Sequence, residues 1–226
     1  MKPQYPQHTT NKLFYKAWPF KIATIIEDGH KIKTWGAKSI IDAKSSYYIS
    51  GWGQQTRDIT NLKQFATKIE PILEGEVKVR YEGSHVNLFF KDRQSFDNAV
   101  NELKEYIVGT WVPLNETEMS TMISNNKFVI VNQYPHSVYR HKVIFRECIP
   151  PEQRESLLSW LKRYPEDEFK ISKTTERYFS GERAWAQNPF ILVKNSKMLS
   201  MLALGFNNYI RKTEEYMLRS SINTES

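Results

Sequence analysis

The sequence predicts an α+β fold of two consecutive β-α-β-β-α units with an N-terminal strand extension. Three observations carry that expectation. Two segments, "EVKVRYE" and "HVNLFFK", alternate apolar and polar side chains with the period of a strand. Between such strands lie stretches with apolar residues at helical spacing, the first being "DITNLKQFATKIEPIL". The same order of elements then comes round again after residue 127.

Residues 1–11, "MKPQYPQHTTN", hold no apolar run and are expected to be a flexible arm rather than a signal peptide. "KLFYKAWPFKIATII" is dense in aromatic and β-branched residues and reads as a strand. "TWGAKSIIDAKSS" is open between a short helix and a loop. "YYIS" from Tyr47 reads as the first strand of a sharper unit, ended by the glycines of "GWG". The following helix places Leu62, Phe65, Ala66, Ile69 and Leu73 on one side, with Asp58 or Thr60 at its start and Pro71 near its end. Val77, Val79 and Tyr81 share one face of the next strand, Lys78 and Arg80 the other. Gly83 turns the chain into a strand in which Val86, Leu88 and Phe90 oppose His85, Asn87 and Phe89. Ser95 is expected to cap a helix through Ile107 that Gly109 closes, and "TWVPL" can add a fourth strand. This is the ferredoxin-like pattern, assigned to residues 12–114.

"NETEMSTMISNN" lacks periodicity and is rich in turn formers, so residues 115–127 are expected to be a linker. In residues 128–226, "FVIVN", "VYRHKVIFREC", "EFKISKTTERYF" and "NPFILVKN" read as strands. "PPEQRESLLSWLKRY" reads as a helix, and Ser196 as the cap of a long helix reaching Ile210. "LFFKDRQSFDNAV" parallels "ILVKNSKMLSMLA", and "WPFKI" loosely parallels "YRHKV"; both echoes point to a duplication, hence tandem ferredoxin-like units.

Lys and Arg total 32 against 25 Asp and Glu, a net charge of +7 that favours a polyanionic partner. Cys148 is the sole cysteine, which excludes an intrachain disulfide and a cysteine-based zinc site, and it is expected to be a small core residue. No apolar run approaches membrane-spanning length, so a cytosolic protein without membrane contact is expected. Neither a phosphate-binding glycine loop, nor a dinucleotide fingerprint, nor a zinc-protease helix is present, and no cofactor or metal is expected.

Residues 46–110 resemble an RNA recognition motif. "YYISGW" is similar to that family's first-strand signature, "GSHVNLFF" stands at its third-strand octamer, and "KDRQSFDNAVNEL" resembles the entrance to its second helix. The resemblance implies base stacking by Tyr48, with His85 and Asn87 at the two third-strand aromatic positions. Gly83 and Ser84 stand where the octamer begins with a basic residue and a glycine.

The alternation gives its own reading beside this. Tyr48, Lys78, Arg80, His85, Asn87 and Phe89 are expected to share one sheet face, offering rings for bases and cations for phosphates. Either that face is open, or the N-terminal strand or the second half covers it and Phe89 is core. Around one expected hairpin, "KTTERYFSGERAW" interleaves Lys173, Arg177 and Arg183 with Tyr178 and Trp185. "NKLFYKAWPFK" mixes Lys12, Lys16 and Lys21 with Tyr15 and Trp18 in the same way.

Two comparisons bear on catalysis. Rolling-circle replication endonucleases pair two histidines on a strand of this fold, whereas "HVN" has one, with Tyr106 as the conceivable nucleophile. CRISPR repeat-processing endoribonucleases are similar in tandem architecture, length and charge, but "NNYIRKTEEYMLRSS" lacks their glycine-rich loop. His136, Tyr139, Arg140 and His141 are the residues for metal-free RNA cleavage, or else structural side chains of a turn and a strand. The expectation is a non-enzymatic binder of RNA or single-stranded DNA, in character a phage or mobile-element protein, with a protein partner in a replication or transcription complex as a further expectation. A metal-independent endoribonuclease and a protein-interaction regulator of a host or viral enzyme are the alternatives.

Overall fold

The computed structural model describes residues 5–43, 47–49 and 56–222. The chain divides into two compact units, residues 1–119 and 120–226. Each is a ferredoxin-like α+β unit with a mixed five-stranded sheet.

In the first unit the strands are β1 (Gln7–Thr9), β2 (Phe20–Ile25), β3 (Tyr47–Ile49), β4 (Thr56–Asp58), β5 (Val77–Glu82), β6 (His85–Phe90) and β7 (Ile107–Val112). Its helices are α1 (Lys31–Trp35), α2 (Ala37–Ile41), α3 (Thr60–Leu73) and α4 (Arg93–Leu103). The sheet runs β1-β7-β2-β6-β5, so β2, β5, β6 and β7 form the antiparallel ferredoxin-like core and β1 adds in parallel beside β7. The apolar sides of the strands (Phe20, Ile22, Val86, Leu88, Phe90) close on Leu62, Phe65, Ala66 and Ile69 of α3 and Phe96, Ala99 and Leu103 of α4. The helical spacing of α3 does its work here: Leu62, Phe65, Ala66 and Ile69 are buried, Leu73 is partly buried, and Asp58 accepts from the Thr60 N–H at 2.8 Å to start the turn. Gly83, at φ 61°, makes the tight β5–β6 turn in the left-handed region.

Four expectations for this half are corrected. Its first sheet strand is Phe20–Ile25, whereas Tyr47–Ile49 pairs only with Thr56–Asp58 in a separate two-stranded ribbon. The arm contains β1, whose backbone groups pair with β7 although its side chains are exposed. Helix α4 ends at Leu103, and Gly109 lies within β7 instead of closing a helix. The cap of α4 is Asp92, whose carboxylate accepts from the Ser95 N–H at 2.7 Å.

In the sequence between β7 and the next strand, the expected linker contains a helix, α5 (Glu116–Ser124). Asn115 accepts from the Glu118 N–H at 2.8 Å, and Glu116 and Glu118 suit the positive end of the helix dipole.

The second unit has strands β8 (Phe128–Val131), β9 (His141–Phe145), β10 (Phe169–Ile171), β11 (Phe190–Val193) and β12 (Ile210–Leu218), with helices α6 (Pro151–Leu161), α7 (Lys173–Phe179) and α8 (Ser196–Phe206). Its sheet order, β10-β11-β9-β12-β8, is that of the first unit read from the other edge, again with an added parallel strand beside the last one. The two sequence echoes fall at equivalent places. Lys21 faces Phe89 across β2 and β6, and Lys142 faces Leu192 across β9 and β11. Asp92 caps α4 and Asn195 caps α8, accepting from Met198 at 3.0 Å. The carbonyl of Tyr106 accepts from Ile25 as that of Tyr209 accepts from Arg146. The sequence separation within each pair Phe89/Leu192, Asp92/Asn195, Tyr106/Tyr209 and Trp111/Glu214 is the same. A β-bulge also recurs there, leaving Val108 and Arg211 as the extra residues. A bulge is a designed irregularity, and its recurrence in register supports duplication of one ancestral unit.

Corrections here are local. "KTTERYF" is helix α7, capped by Ser172, rather than a strand. Helix α8 stops at Phe206, and Ile210 begins β12. Asn195 rather than Ser196 caps α8, and Cys148 is exposed rather than in the core.

Candidate nucleic-acid interface

The face of the first sheet turned away from the helices is built by cross-strand register. One row across β1, β7, β2, β6 and β5 is His8, Trp111, Lys21, Phe89 and Lys78. The next is Gly109, Ala23, Asn87 and Arg80. Ile25, His85 and Glu82 follow.

Over the first row folds a hairpin turn. Phe14 and Trp18 pair backbone to backbone, and the Ala17 N–H donates to the Phe14 carbonyl at 3.1 Å. Tyr15 and Lys16 between them both have left-handed φ values, 48° and 69°, the combination of a type I′ turn. Such turns favour Asn-Gly, so two bulky side chains there are held at a cost. What holds them is aromatic packing: the ring centroids of Phe14 and Tyr15 stand 5.4 and 4.9 Å from that of Phe89. Phe89 is 3% exposed as a result. Of the two alternatives for this face, the covered one holds at Phe89, because the N-terminal segment lies over its ring.

The turn supplies another ring in its place. Tyr15 is 45% exposed, with the Lys78 Nζ 4.5 Å from its ring centroid. The Tyr15 hydroxyl, ahead of the nearby Glu82 carboxylate, raises the pKa of Arg80. Arg80 also contacts Glu82 at 2.6 Å, whose other oxygen accepts from Asn87 at 3.2 Å. Asn87 is buried, so its amide is committed to the sheet, whereas Lys78, Arg80 and His85 are exposed. Lys16, also exposed, stands at the tip of the turn.

Trp111 is engaged on both sides. His8 stacks on it with centroids 4.8 Å apart, and the Lys21 Nζ lies 4.2 Å from its centroid. The indole lies over Gly109, where a Cβ would come within 3.2 Å of it. Burial lowers the pKa of Lys21, with Glu82 opposing, and the ammonium sits among Trp111, Phe89 and Phe14.

Tyr48 belongs to the β3–β4 ribbon, outside this sheet, and its side chain lies outside the described residues, as does the "GWG" segment. Sequence reasoning placed Lys78, Arg80, His85, Asn87 and Phe89 on one face, and they share it. Tyr15, Lys16 and Lys21 read in the sequence as a separate mixture; the apolar-aromatic density of "KLFYKAWPFK" is the available signal.

In the second unit the matching row is Glu214, Lys142, Leu192 and Lys170. The cations recur at the positions of Lys21 and Lys78, but Glu214 and Leu192 replace Trp111 and Phe89. Glu214 is buried and ion-paired with Lys212 at 2.8 Å. Lys173, Arg177 and Arg183 lie elsewhere, on α7 and the loop after it, with Arg177 bonded to Glu182 at 2.9 Å. Tyr178 is fully buried; its hydroxyl donates to the Glu147 carbonyl and accepts from the Ile149 N–H.

Among the residues considered for RNA cleavage, the rings of His136 and Tyr139 meet edge-on with centroids 6.0 Å apart. His141 turns to the helix side and meets the Ser196 Oγ at 3.1 Å, its pKa lowered by burial. His136 is exposed, and burial raises the pKa of Tyr139. Tyr106 packs on Phe65 on the helix side, across the sheet from His85. Among the described residues no group of His, Cys, Asp and Glu is disposed to hold a metal ion, and no helix is long and apolar enough to cross a membrane.

Set against protein-family models, curated proteins and solved structures, the chain matches none.

Proposed function

We propose that the first unit binds single-stranded nucleic acid, RNA or DNA, on the sheet face away from its helices, without cleaving it. The observation that carries this reading is Tyr15, a half-exposed ring held on Phe89 with Lys78 and Arg80 beside it. A flat ring takes an unstacked base of any identity, and adjacent cations take the flanking phosphates. Lys16 and His85 extend the polar rim, and the net charge of +7 draws a polyanion in. A duplex keeps its bases stacked and leaves the ring without a partner, so single strands are favoured. The fold itself says nothing of function; the ring and its cations support the reading.

Fluorescence anisotropy with labelled single-stranded RNA, single-stranded DNA and duplex tests this. Tyr15→Ala should weaken single-strand binding about tenfold to a hundredfold, the loss of one stacked base. Tyr15→Phe should keep most of the affinity. Lys78→Ala and Arg80→Ala should lower affinity on every sequence and each reduce the salt slope by about 1. Single-strand binding indifferent to all three truncations, or a flat salt response, would overturn the assignment.

A further inference from the structure

We infer that the loop of residues 180–189 in the second unit is a second contact for single-stranded nucleic acid, with Trp185 stacking a base and Arg183 and Lys173 meeting phosphate. This rests on the reading of the first unit as a binder. Trp185 is 56% exposed, an unusual position for the largest apolar side chain. Yet the loop that carries it is anchored at several points. The Arg183 N–H donates to the Arg177 carbonyl at 3.0 Å, and its carbonyl accepts from the Arg154 Nη1 at 2.9 Å. Ala186 is buried, and the Asn188 N–H donates to Glu147 at 3.2 Å. Gly181, at φ 84°, makes the reversal out of α7.

Arg154 is the unusual part. It is 6% exposed, faces the Tyr178 ring at 4.7 Å and bonds the carbonyls of Tyr178 and Arg183, with no carboxylate partner among the described residues. A buried, uncompensated guanidinium is expensive, and here it fixes the loop and leaves positive charge beneath it. Above it, Lys173 and Arg177 stand one turn apart on α7, and the backbone of Arg183 lies against that of Arg177. Glu182 is taken by Arg177, while Lys173 and Arg183 have no carboxylate partner among the described residues. An exposed indole on a loop whose backbone is anchored on either side of it binds with less ordering cost. Charge selects the ligand: a phosphate chain complements this loop.

The test uses the whole protein and strands of two lengths, RNA and DNA in parallel. On a strand of about 40 nucleotides, long enough to occupy both units, Trp185→Ala should weaken binding about tenfold, Arg183→Ala should also weaken it, and Trp185→Phe should hold most of the affinity. On a strand of about 6 nucleotides, within the span of one unit, Trp185→Ala should change nothing while Tyr15→Ala still weakens binding. Because Trp185 is exposed, an unchanged melting temperature is expected and separates lost contact from lost fold. Unaltered long-strand affinity in Trp185→Ala, with Tyr15→Ala still impaired, overturns the second contact and leaves the first. A wild-type protein that binds neither length overturns both.

Discussion

Phe89→Ala is the perturbation that tests whether the sheet face is assembled as described. Phe89 is 3% exposed and carries Phe14 and Tyr15 on its ring, so truncation leaves a cavity rather than a solvated gap. Phenylalanine truncations in cores cost about 3–5 kcal/mol. Two aromatic pairs, each worth about 0.5–1.5 kcal/mol beyond burial, dissolve with it and put the expected loss near the upper end, about 4–5 kcal/mol. With a urea slope of about 2 kcal/mol/M, the unfolding midpoint should fall by roughly 2 M. Phe89→Leu, which installs the residue found at the matching position of the second unit, should cost only about 1 kcal/mol, because most of the volume stays filled. Urea unfolding followed by intrinsic fluorescence and circular dichroism gives both numbers. The loss of binding should track stability only in part, since the Tyr15 ring loses its support even in the folded fraction. A loss under about 1.5 kcal/mol for Phe89→Ala, or equal losses for alanine and leucine, would refute a covered ring.

Lys16→Gly should raise stability by up to about 1 kcal/mol in the same denaturation, since relief of a left-handed residue, worth about 1–2 kcal/mol, exceeds the backbone entropy glycine adds. His141 governs an acid-side dependence. Burial lowers its folded pKa below the unfolded value, so as pH falls beneath the usual histidine range the unfolded chain takes up the proton first and stability declines. The decline should run from about pH 6.5 down to the folded pKa and then level off, and His141→Gln should flatten that part of the curve of midpoint against pH.

Sequence alone determined the elements whose side chains carry a period. The i, i+3, i+4 spacing of Leu62, Phe65, Ala66 and Ile69 could bury only as a helix, and the alternation in "EVKVRYE" and "HVNLFF" put Lys78, Arg80, His85 and Phe89 on one face. The repeated strand-Lys-Asp/Asn-helix pattern likewise marked two equivalent units, because a duplicated core keeps its caps and its apolar positions. Tertiary structure decided what local pattern leaves open. Gln7–Thr9 is an exposed edge strand held by backbone bonds to β7, so no apolar alternation announces it. "FKIATI" and "YYIS" both read as strand, and only pairing with β6 and β7 makes the former the central one. Nothing in the spacing of "SKMLSMLALGFNNYI" ends the helix at Phe206; the β9 strand, by taking Ile210 and the residues after it into the sheet, does. Whether Phe89 meets solvent or protein depended on Phe14 and Tyr15, about seventy residues away in the chain. A side chain's face is a local property of the strand that bears it, but what lies against that face is set by segments that only folding brings there.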